Sequence, residues 1–385
     1  MNKDFHYYGT YAAARIAGYS HEEALNICSA AFLVDLCTRS LLAAIDGPSS
    51  AATTQTAMEM ADARTDIIGL QDITRIWASF HFLPRDLYAK REKVSKRYLR
   101  KYRLICGPNG DLLVDTVNLA KGKSLEAVGV AMHVLADTWA HMNFAGTPSF
   151  VINNTNECFY EILDDAKTRQ INFKHNPMSA EDTEKASYTN SVKTENEHSV
   201  MNLGHGRAGH LPDYSFIKYK YLPAWANYRE VIKDNPSDYM HAFWQMVYAM
   251  RYLRGDEKTF QVHNYAKEAV APYEDEIKAI FKVRRTDDSE DWIKLCKKLS
   301  GCEIADLDIE KLKTEYTSAS KEEKDNTFLG RFFIAAMAQK SMVTNKIYKS
   351  GNMLAGVSYE YNAEKGKFKG IKDFYKLIVN MRKGD

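Results

Sequence analysis

The chain has 385 residues, of which 45% are hydrophobic and 26% charged, as in an ordinary globular protein of one large or two modest domains. The formal net charge of +2 excludes a strong overall field for nucleic acid. The sequence shows no signal peptide, no apolar run of the length that spans a membrane, and six scattered cysteines without a CxxC pair. We therefore expect a cytoplasmic protein with reduced thiols and no transmembrane segment.

The first third of the chain predicts helices with isolated metal-competent side chains. Ser20 and Glu23 have the spacing of a capping box at a helix start, and the apolar stripe that follows ends in Asp35. In isolation, Asp35 is equally well explained as a buried ligand or as the polar end of a helix. His6 lies among aromatic residues near the N-terminus, and His81 lies between two phenylalanines.

The strongest signal is the predicted helix from Ser124 to His141. His133, Asp137 and His141 stand at i, i+4 and i+8, so on an α-helix they share one stripe that drifts by about 80° over two turns. Their neighbours are apolar, which places three polar groups on a buried face where each of them needs a partner. A metal site explains this pattern best, and a hydrogen-bonded network within a helical core is the alternative.

A glycine-rich segment at residues 203–213 supplies further candidates. It carries His205, His210 and Asp213, and its glycines allow the backbone to approach another group closely. A plain turn would not need these side chains. Arg207 could hold a phosphate through two parallel hydrogen bonds, although an exposed loop arginine is an equally good explanation.

The rest of the chain favours helices and shows no convincing strand alternation. Residues 174–202 are polar and predict an excursion or loop, and the aromatic residues between 221 and 254 predict two packed helices. We therefore predict an all-α fold, a multi-helix bundle. Residues 1–260 would form a metal-binding helical domain, and residues 261–385 a helical C-terminal extension packed on it or a small separate subdomain.

Taken together, the candidate residues resemble the ligand set of the zinc-dependent phospholipase C superfamily, which includes the secreted single-strand nucleases. The resemblance covers roughly residues 1–260. The motifs Asp4-x-His6-Tyr7-Tyr8, Ala-Asp-Thr-Trp-Ala-His and Gly-His-Gly-x-x-Gly-His-x-Pro-Asp are similar to an uncharacterised bacterial branch. The residues that match the order of that ligand set are His6, Asp35, His81, His133, Asp137, His141, His205, His210 and Asp213.

The resemblance implies an all-helical fold around a three-metal cluster, with a ligand from the N-terminus for which Asp4 would stand in here. Histidine nitrogen and carboxylate oxygen suit Zn²⁺, and the same ligands also suit Mn²⁺ or Fe. We expect two or three ions. Asp137, midway between His133 and His141, could bridge two of them.

These expectations predict a metal-dependent phosphoesterase in which Asp137 and Arg207 serve catalysis. Metal-activated water would attack a phosphodiester or phosphomonoester, such as a lipid head group, a nucleotide or single-stranded nucleic acid. A phosphohydrolase of the His-Asp type is disfavoured, because the sequence contains no adjacent His-Asp pair. The non-enzymatic alternative is a helical binding or structural protein whose cluster holds a structural metal.

Overall fold

The computed structural model describes residues 1–63, 67–147, 150–155, 158–164, 166–176, 179–190 and 205–352, together with the residue pairs 361–362 and 367–368. A π-helical turn, Asp4–Gly9, precedes the first α-helix. The α-helices of the described chain are α1 (Thr10–Ile16), α2 (His21–Leu33), α3 (Arg39–Ala44), α4 (Ala57–Ala63), α5 (Ile67–Phe80), α6 (Lys96–Tyr102), α7 (Asp111–Ala120), α8 (Leu125–Ala140), α9 (Phe150–Asn153), α10 (Asn235–Arg254), α11 (Lys267–Val270), α12 (Glu274–Lys282), α13 (Ser289–Ser300), α14 (Ile309–Ser318) and α15 (Phe328–Lys349).

The prediction of an all-α fold is wrong, because short strands form sheets beside the helices. The strands are β1 (Tyr160–Ile162), β2 (Thr168–Gln170), β3 (Asn172–Lys174), β4 (Ser187–Thr189), β5 (Lys218–Tyr221), β6 (Val231–Asp234), β7 (Tyr361–Asn362) and β8 (Lys367–Phe368). An antiparallel sheet has the order β2-β1-β5-β6, β3 pairs in parallel with β4, and β7 pairs with β8. The protein is therefore a mixed α/β structure in which helix predominates.

Strand β5 shows why the sheet escapes detection in the sequence. Its side chains alternate between half-buried and buried over only four residues, Lys218–Tyr221. The strand pairs with β1, with Tyr160 opposite Lys220, so the pairing depends on residues distant in sequence. The two helices predicted between residues 221 and 254 are likewise corrected, because β6 precedes one long helix, α10. The predicted excursion at 174–202 contains β4, and its residues 191–202 lie outside the described part.

The local helix signals are confirmed. The Ser20 hydroxyl accepts a hydrogen bond from the Glu23 N–H, and the Glu23 carboxylate accepts one from the Ser20 N–H, which is the reciprocal capping box. The Ser124 side chain accepts from the Ala127 N–H and caps α8. His141 follows the last turn of α8 as its C-cap residue.

Helix α8 lies at the centre of the larger apolar core. It packs against α2, α7, α10 and α15, and every residue from Val128 to Ala140 is buried. The polar side chains of that stretch are therefore shielded from bulk water and need partners within the protein. A second, smaller core forms between the sheet and the segment that follows α8, where Phe144 and Phe159 each stack on Tyr221.

The helices after residue 260 add to the same core as α8. Phe281 of α12 and Trp292 of α13 contact Phe5 in the first turn of the chain, and Phe332 of α15 is fully buried in that cluster. Within the described residues, no helix has both the length and the apolar character needed to cross a membrane.

Candidate metal centre

One carboxylate lies where three distant segments of the chain meet. Asp137, one turn after His133 on α8, is 1% exposed. Its Oδ1 is 3.1 Å from His6 Nε2, and its Oδ2 is 3.1 Å from His81 Nδ1 and 3.2 Å from His133 Nε2. The π-helical first turn, the end of α5 and the central helix therefore converge on Asp137.

The close approach of α2 to α8 depends on small residues. A Cβ atom added to Gly129 would lie 2.6 Å from the Cβ of Ala30 and nearer still to α2 backbone, so only glycine fits at this crossing. The approach brings the carbonyl oxygen of Ala31 to 2.9 Å from Nδ1 of His133. Packing between the two helices therefore fixes the orientation of a candidate ligand.

The same crossing brings Asp35 to the site. Asp35 lies just beyond the end of α2, and its Oδ1 is 3.8 Å from both His81 Nδ1 and His133 Nε2. Its side chain is 30% exposed, whereas those of the two histidines are 4% and 0% exposed. Asp35 thus contributes a carboxylate on the solvent side of the cluster.

Four histidines share one arrangement: one ring nitrogen faces a backbone carbonyl oxygen, and the other faces the carboxylates. A carbonyl only accepts, so the nitrogen that faces it carries the proton and the opposite nitrogen keeps its lone pair. The donor–acceptor pairs are His81 Nε2 with Thr53 O at 3.1 Å, His133 Nδ1 with Ala31 O at 2.9 Å, His141 Nδ1 with His81 O at 2.7 Å, and His205 Nδ1 with Gly209 O at 2.7 Å.

The free lone pairs then point at one another. His81 Nδ1 and His133 Nε2 are 3.3 Å apart, and each is within 3.2 Å of the same Asp137 oxygen. Lone pairs that converge in this way repel unless a cation or a proton lies between them. The donor set, neutral imidazole nitrogen with carboxylate oxygen, fits a first-row divalent metal.

The candidate ligands form three groups whose ligand atoms lie within 4.8 Å of one another. The groups are His6 with His133 and Asp137, Asp35 with His81 and His133, and His141 with His205 and Asp213. Of the nine residues that match the ligand set, His210 alone falls outside these groups; its side chain is 58% exposed, with Nδ1 3.4 Å from Asp213 Oδ2. Since His133 has a single free nitrogen, the first two groups compete for it.

The turn that contains Asp213 is fixed by hydrogen bonds from a side chain at the start of α10. The short 3₁₀ helix Leu211–Asp213 follows the glycine-rich loop. The side-chain amide of Asn235, which is fully buried, donates at 2.7 Å to the carbonyls of Leu211 and Tyr214 on either side of Asp213. Asp213 Oδ1 then lies 2.9 Å from His141 Nε2.

Gly209 allows the loop to fold back. It adopts a φ of +57°, and a Cβ there would lie 1.9 Å from the carbonyl oxygen of Thr189. The position therefore demands glycine, and the carbonyl oxygen of Gly209 accepts a hydrogen bond from His205.

Arg207 lies between His205 and Gly209 in the loop, and its carbonyl oxygen accepts a hydrogen bond from the Asn190 side-chain amide. Its proposed contact with phosphate stays a prediction.

The first residues of the chain contribute differently from what the sequence predicts. Asp4 is in none of the three groups, because its carboxylate accepts hydrogen bonds from the backbone of Phe5 and of Asp288. The α-amino group of Met1 instead lies 2.7 Å from Asp137 Oδ1 and 3.2 Å from Asp213 Oδ1. The resemblance implies a group from the N-terminus at this place, but the sequence analysis assigned the place to Asp4 and not to the Met1 amino group.

The electrostatics favour ligand-competent protonation states. Burial alone would raise the pKa of Asp137, but its interactions with His141, the Met1 α-ammonium and His133 outweigh burial and hold the pKa well below its usual range. Burial lowers the pKa of His6 to about 4, with a further contribution from His133. At neutral pH, Asp137 is therefore an anion and His6 a neutral imidazole.

Burial and neighbouring charges also shift the pKa values of His205, Asp213 and His81. Burial lowers the pKa of His205 to about 4. Burial opposes ionisation of Asp213, yet the Met1 α-ammonium and His205 hold its pKa well below the usual range. For His81, burial favours the neutral form, but the hydrogen bond and the charge of Asp137 outweigh it and raise the pKa. His81 is thus the ring in this cluster that a proton and a metal would compete for.

Sequence reasoning found the ligand-type side chains and missed the groups that orient them. The carbonyls of Thr53 and Ala31 leave no trace in residue identity, because any residue supplies a carbonyl. Asn235 carries one weak local signal, since it opens α10 in the segment Asp-Asn-Pro-Ser-Asp, which is typical of a helix start.

Comparison with known proteins gives a family and no function. No curated protein and no solved structure matches the chain. Residues 1–347 match the model of a family of unknown function, DUF6765, and this range includes all nine candidate ligands and the helices through most of α15. The chain therefore belongs to the DUF6765 family.

Proposed function

We propose that this protein is a metal-dependent hydrolase of phosphate esters. The observation that supports the proposal is the convergence of histidine nitrogens on Asp137 and Asp213. Four of these histidines, His81, His133, His141 and His205, are oriented by a hydrogen bond from the opposite ring nitrogen to a carbonyl. A buried hydrogen-bond network would need a donor for each of these acceptors. The Met1 α-ammonium supplies one to Asp137 and Asp213, but the four histidines that donate to carbonyls direct their protons away from the centre.

The three groups assign ligands to two or three ions, with Zn²⁺ preferred and Mn²⁺ or Fe as other choices. The group of His141, His205 and Asp213 would hold one ion independently of the others. Asp137 would be shared between the remaining positions, because its two oxygens face different histidines. Ions held by these residues would supply an activated water nucleophile at neutral pH and would stabilise charge on a phosphoryl group.

The exposure of the ligands indicates the side from which a substrate would enter. His6 and His133 are fully buried, whereas the Asp35 and His205 side chains are 30% and 17% exposed. An ester that reaches the cluster from solvent would therefore meet Asp35 or His205 before the fully buried ligands. Arg207, two residues after His205, is the proposed phosphate clamp. The substrate class is a lipid head group, a nucleotide or single-stranded nucleic acid, and the proposed location is the cytoplasm.

The second candidate is a structural metal centre without catalysis. Complete burial of His6 and His133 favours it, because a structural site needs no open coordination position. Both candidate functions require metal binding, but only the hydrolase would turn over a substrate. Activity, measured on protein of known metal content, therefore separates them.

The experiment uses the full chain, loaded with Zn²⁺, Mn²⁺ or Fe²⁺ and analysed for metal. Hydrolysis of bis-p-nitrophenyl phosphate and p-nitrophenyl phosphate is measured before and after chelation. We expect turnover in the loaded wild type and its loss in His133→Ala. The exposed His263→Asn is the matched control, because residue 263 has a φ of 69° that asparagine tolerates. A folded, fully loaded protein that is inactive on a broad panel of phosphoesters would leave the structural candidate.

A further inference from the structure

A cavity of about 440 Å³ opens on a different side of α8 from the metal centre, between α7, α8 and α15. Five alanines line it, and their small side chains leave space where larger residues would have filled the helix junction: Ala120, Ala127, Ala131, Ala335 and Ala338. Ala131 and His133 are two positions apart and so point about 200° apart around the helix. The cavity is therefore separate from the candidate ligands.

One end of the cavity carries a net positive charge. Arg331 donates to both carboxylate oxygens of Glu126, which is 1% exposed, so those two charges cancel. Lys123 also lines the cavity, is exposed, and makes no ion pair among the described residues. The N-terminus of α8, just beyond its cap Ser124, adds a partial positive charge at the same end. This end favours an acidic group.

The other end carries the side-chain amide of Gln339. Gln339 is 2% exposed and lines the cavity; its amide nitrogen donates to the Ser79 carbonyl at 3.1 Å and to the Thr116 hydroxyl at 3.0 Å. Its amide oxygen receives no hydrogen bond from any residue in the described ranges. An amide oxygen that lines the cavity can accept a hydrogen bond from a bound molecule, which typically contributes about 0.5–1.5 kcal/mol.

The distance between the two ends sets the length of the ligand. Gln339 follows Arg331 by eight residues on α15, which corresponds to about 12 Å along the helix axis. An extended chain advances roughly 1.2 Å per bond, so about ten carbons span that distance. The wall between the two ends is apolar, as an alkyl chain requires.

We propose that this cavity binds a single-chain amphiphile with an acidic head group at Lys123 and a hydroxyl near its far end at Gln339. A medium-chain ω-hydroxy acid has this chemistry. The site is independent of the metal centre and of the proposed phosphoesterase activity, since it shares no side chain with the candidate ligands.

Calorimetric titration of the full chain with 10-hydroxydecanoate, decanoate and 1,10-decanediol tests the proposal. We expect one molecule of 10-hydroxydecanoate per chain, and about tenfold weaker binding of each analogue that lacks one polar end. Equal affinity for all three, or no saturable binding to the wild type, would overturn it.

Two variants assign the binding to this cavity. Ala335→Phe fills the empty space and should weaken binding of 10-hydroxydecanoate at least about thirtyfold, with unchanged helix content by circular dichroism. Lys123→Gln should remove the preference for the acid over the diol, whereas Lys349→Gln, at the exposed end of α15, should leave it unchanged. Binding that survives Ala335→Phe would place the ligand elsewhere and refute the assignment.

Discussion

Nδ1 of His133 lies 2.9 Å from the carbonyl oxygen of Ala31, so helix α2 determines which nitrogen of His133 faces Asp137. A carbonyl cannot donate, and the imidazole must therefore present its unprotonated Nε2 to the cluster. The orientation of this ligand thus depends on how closely two helices pack and not on another polar side chain.

Gly129→Ala should therefore weaken both the fold and the metal centre. The added methyl group would lie 2.6 Å from the Ala30 side chain, so α2 must move away and with it the Ala31 carbonyl. We expect a loss of about 3 kcal/mol in the free energy of unfolding, with weaker metal retention on dialysis. Gly122→Ala is the control, because a Cβ there meets nothing within 4 Å. It should lose only about 1 kcal/mol, through its positive φ, and keep its metal. Equal metal loss in the two variants would contradict the role of the helix crossing.

Asp137→Ala should remove more than one metal ion per chain, and His141→Ala at most one. The two oxygens of Asp137 face His6 on one side and His81 with His133 on the other. His141 has only Nε2 free, because Nδ1 donates to the carbonyl of His81. Metal content by elemental analysis, measured beside circular dichroism to verify folding, distinguishes the two. Equal losses from folded variants would make Asp137 a terminal ligand or an orienting group.

Asn235→Ala should affect the third group selectively. The variant leaves the buried carbonyls of Leu211 and Tyr214 without their common donor, at a cost of about 2 kcal/mol in unfolding free energy. The turn that carries Asp213 then loosens, and we expect one ion to be released at a lower chelator concentration than the rest. Asn264→Ala, which removes an exposed asparagine, is the control. Release of all ions together would show that the groups do not bind separately.

Asp288→Asn should change the pH dependence of stability. Asp288 is 4% exposed at the start of α13, where burial and the neighbouring charge of Asp4, opposed by Arg285, raise its pKa to about 7. Because the folded pKa exceeds the unfolded value of 3.8, the protonated carboxyl stabilises the fold at low pH, and this contribution is lost as pH rises through 7. The free energy of unfolding of the variant, relative to that of the wild type, should therefore increase by about 2 kcal/mol from pH 5 to pH 8.

Asp287→Asn is the matched control for that experiment. Hydrogen bonds from Ser289 lower the pKa of Asp287, so its contribution to stability changes only below about pH 4. Denaturant titrations of wild type and both variants at pH 5 and pH 8 provide the comparison. A gain of the same size in Asp287→Asn would mean that the effect is a general charge effect and not the burial of Asp288.

The sequence predicted the features that depend on neighbours within two helical turns. The stripe of His133, Asp137 and His141, the caps at Ser20 and Ser124, and the glycine-rich turn before Asp213 all follow from local spacing. Helix periodicity becomes visible in a window of about 11–18 residues, and α8 has sixteen.

The features that the sequence did not predict depend on contacts between distant segments. Strands of three or four residues are too short to establish alternation, and β1 finds its partner β5 almost sixty positions later, with Tyr160 opposite Lys220. The choice between Asp4 and the Met1 α-amino group depends on how a π-helical turn is oriented over α8. The cavity beside α15 is likewise invisible, because alanine is an ordinary residue in any helix.

The wide spacing of the candidate ligands also bears on how the chain is made. His6 and Asp137 are 131 positions apart, and His141 and Asp213 are 72 apart. During synthesis at a ribosome, His6 emerges long before its partner carboxylate, and the third group is incomplete until Asp213 has left the exit tunnel. If the third group binds a metal ion as proposed, it would do so late in synthesis, and a truncated product that ends before residue 213 would have His141 and His205 without Asp213.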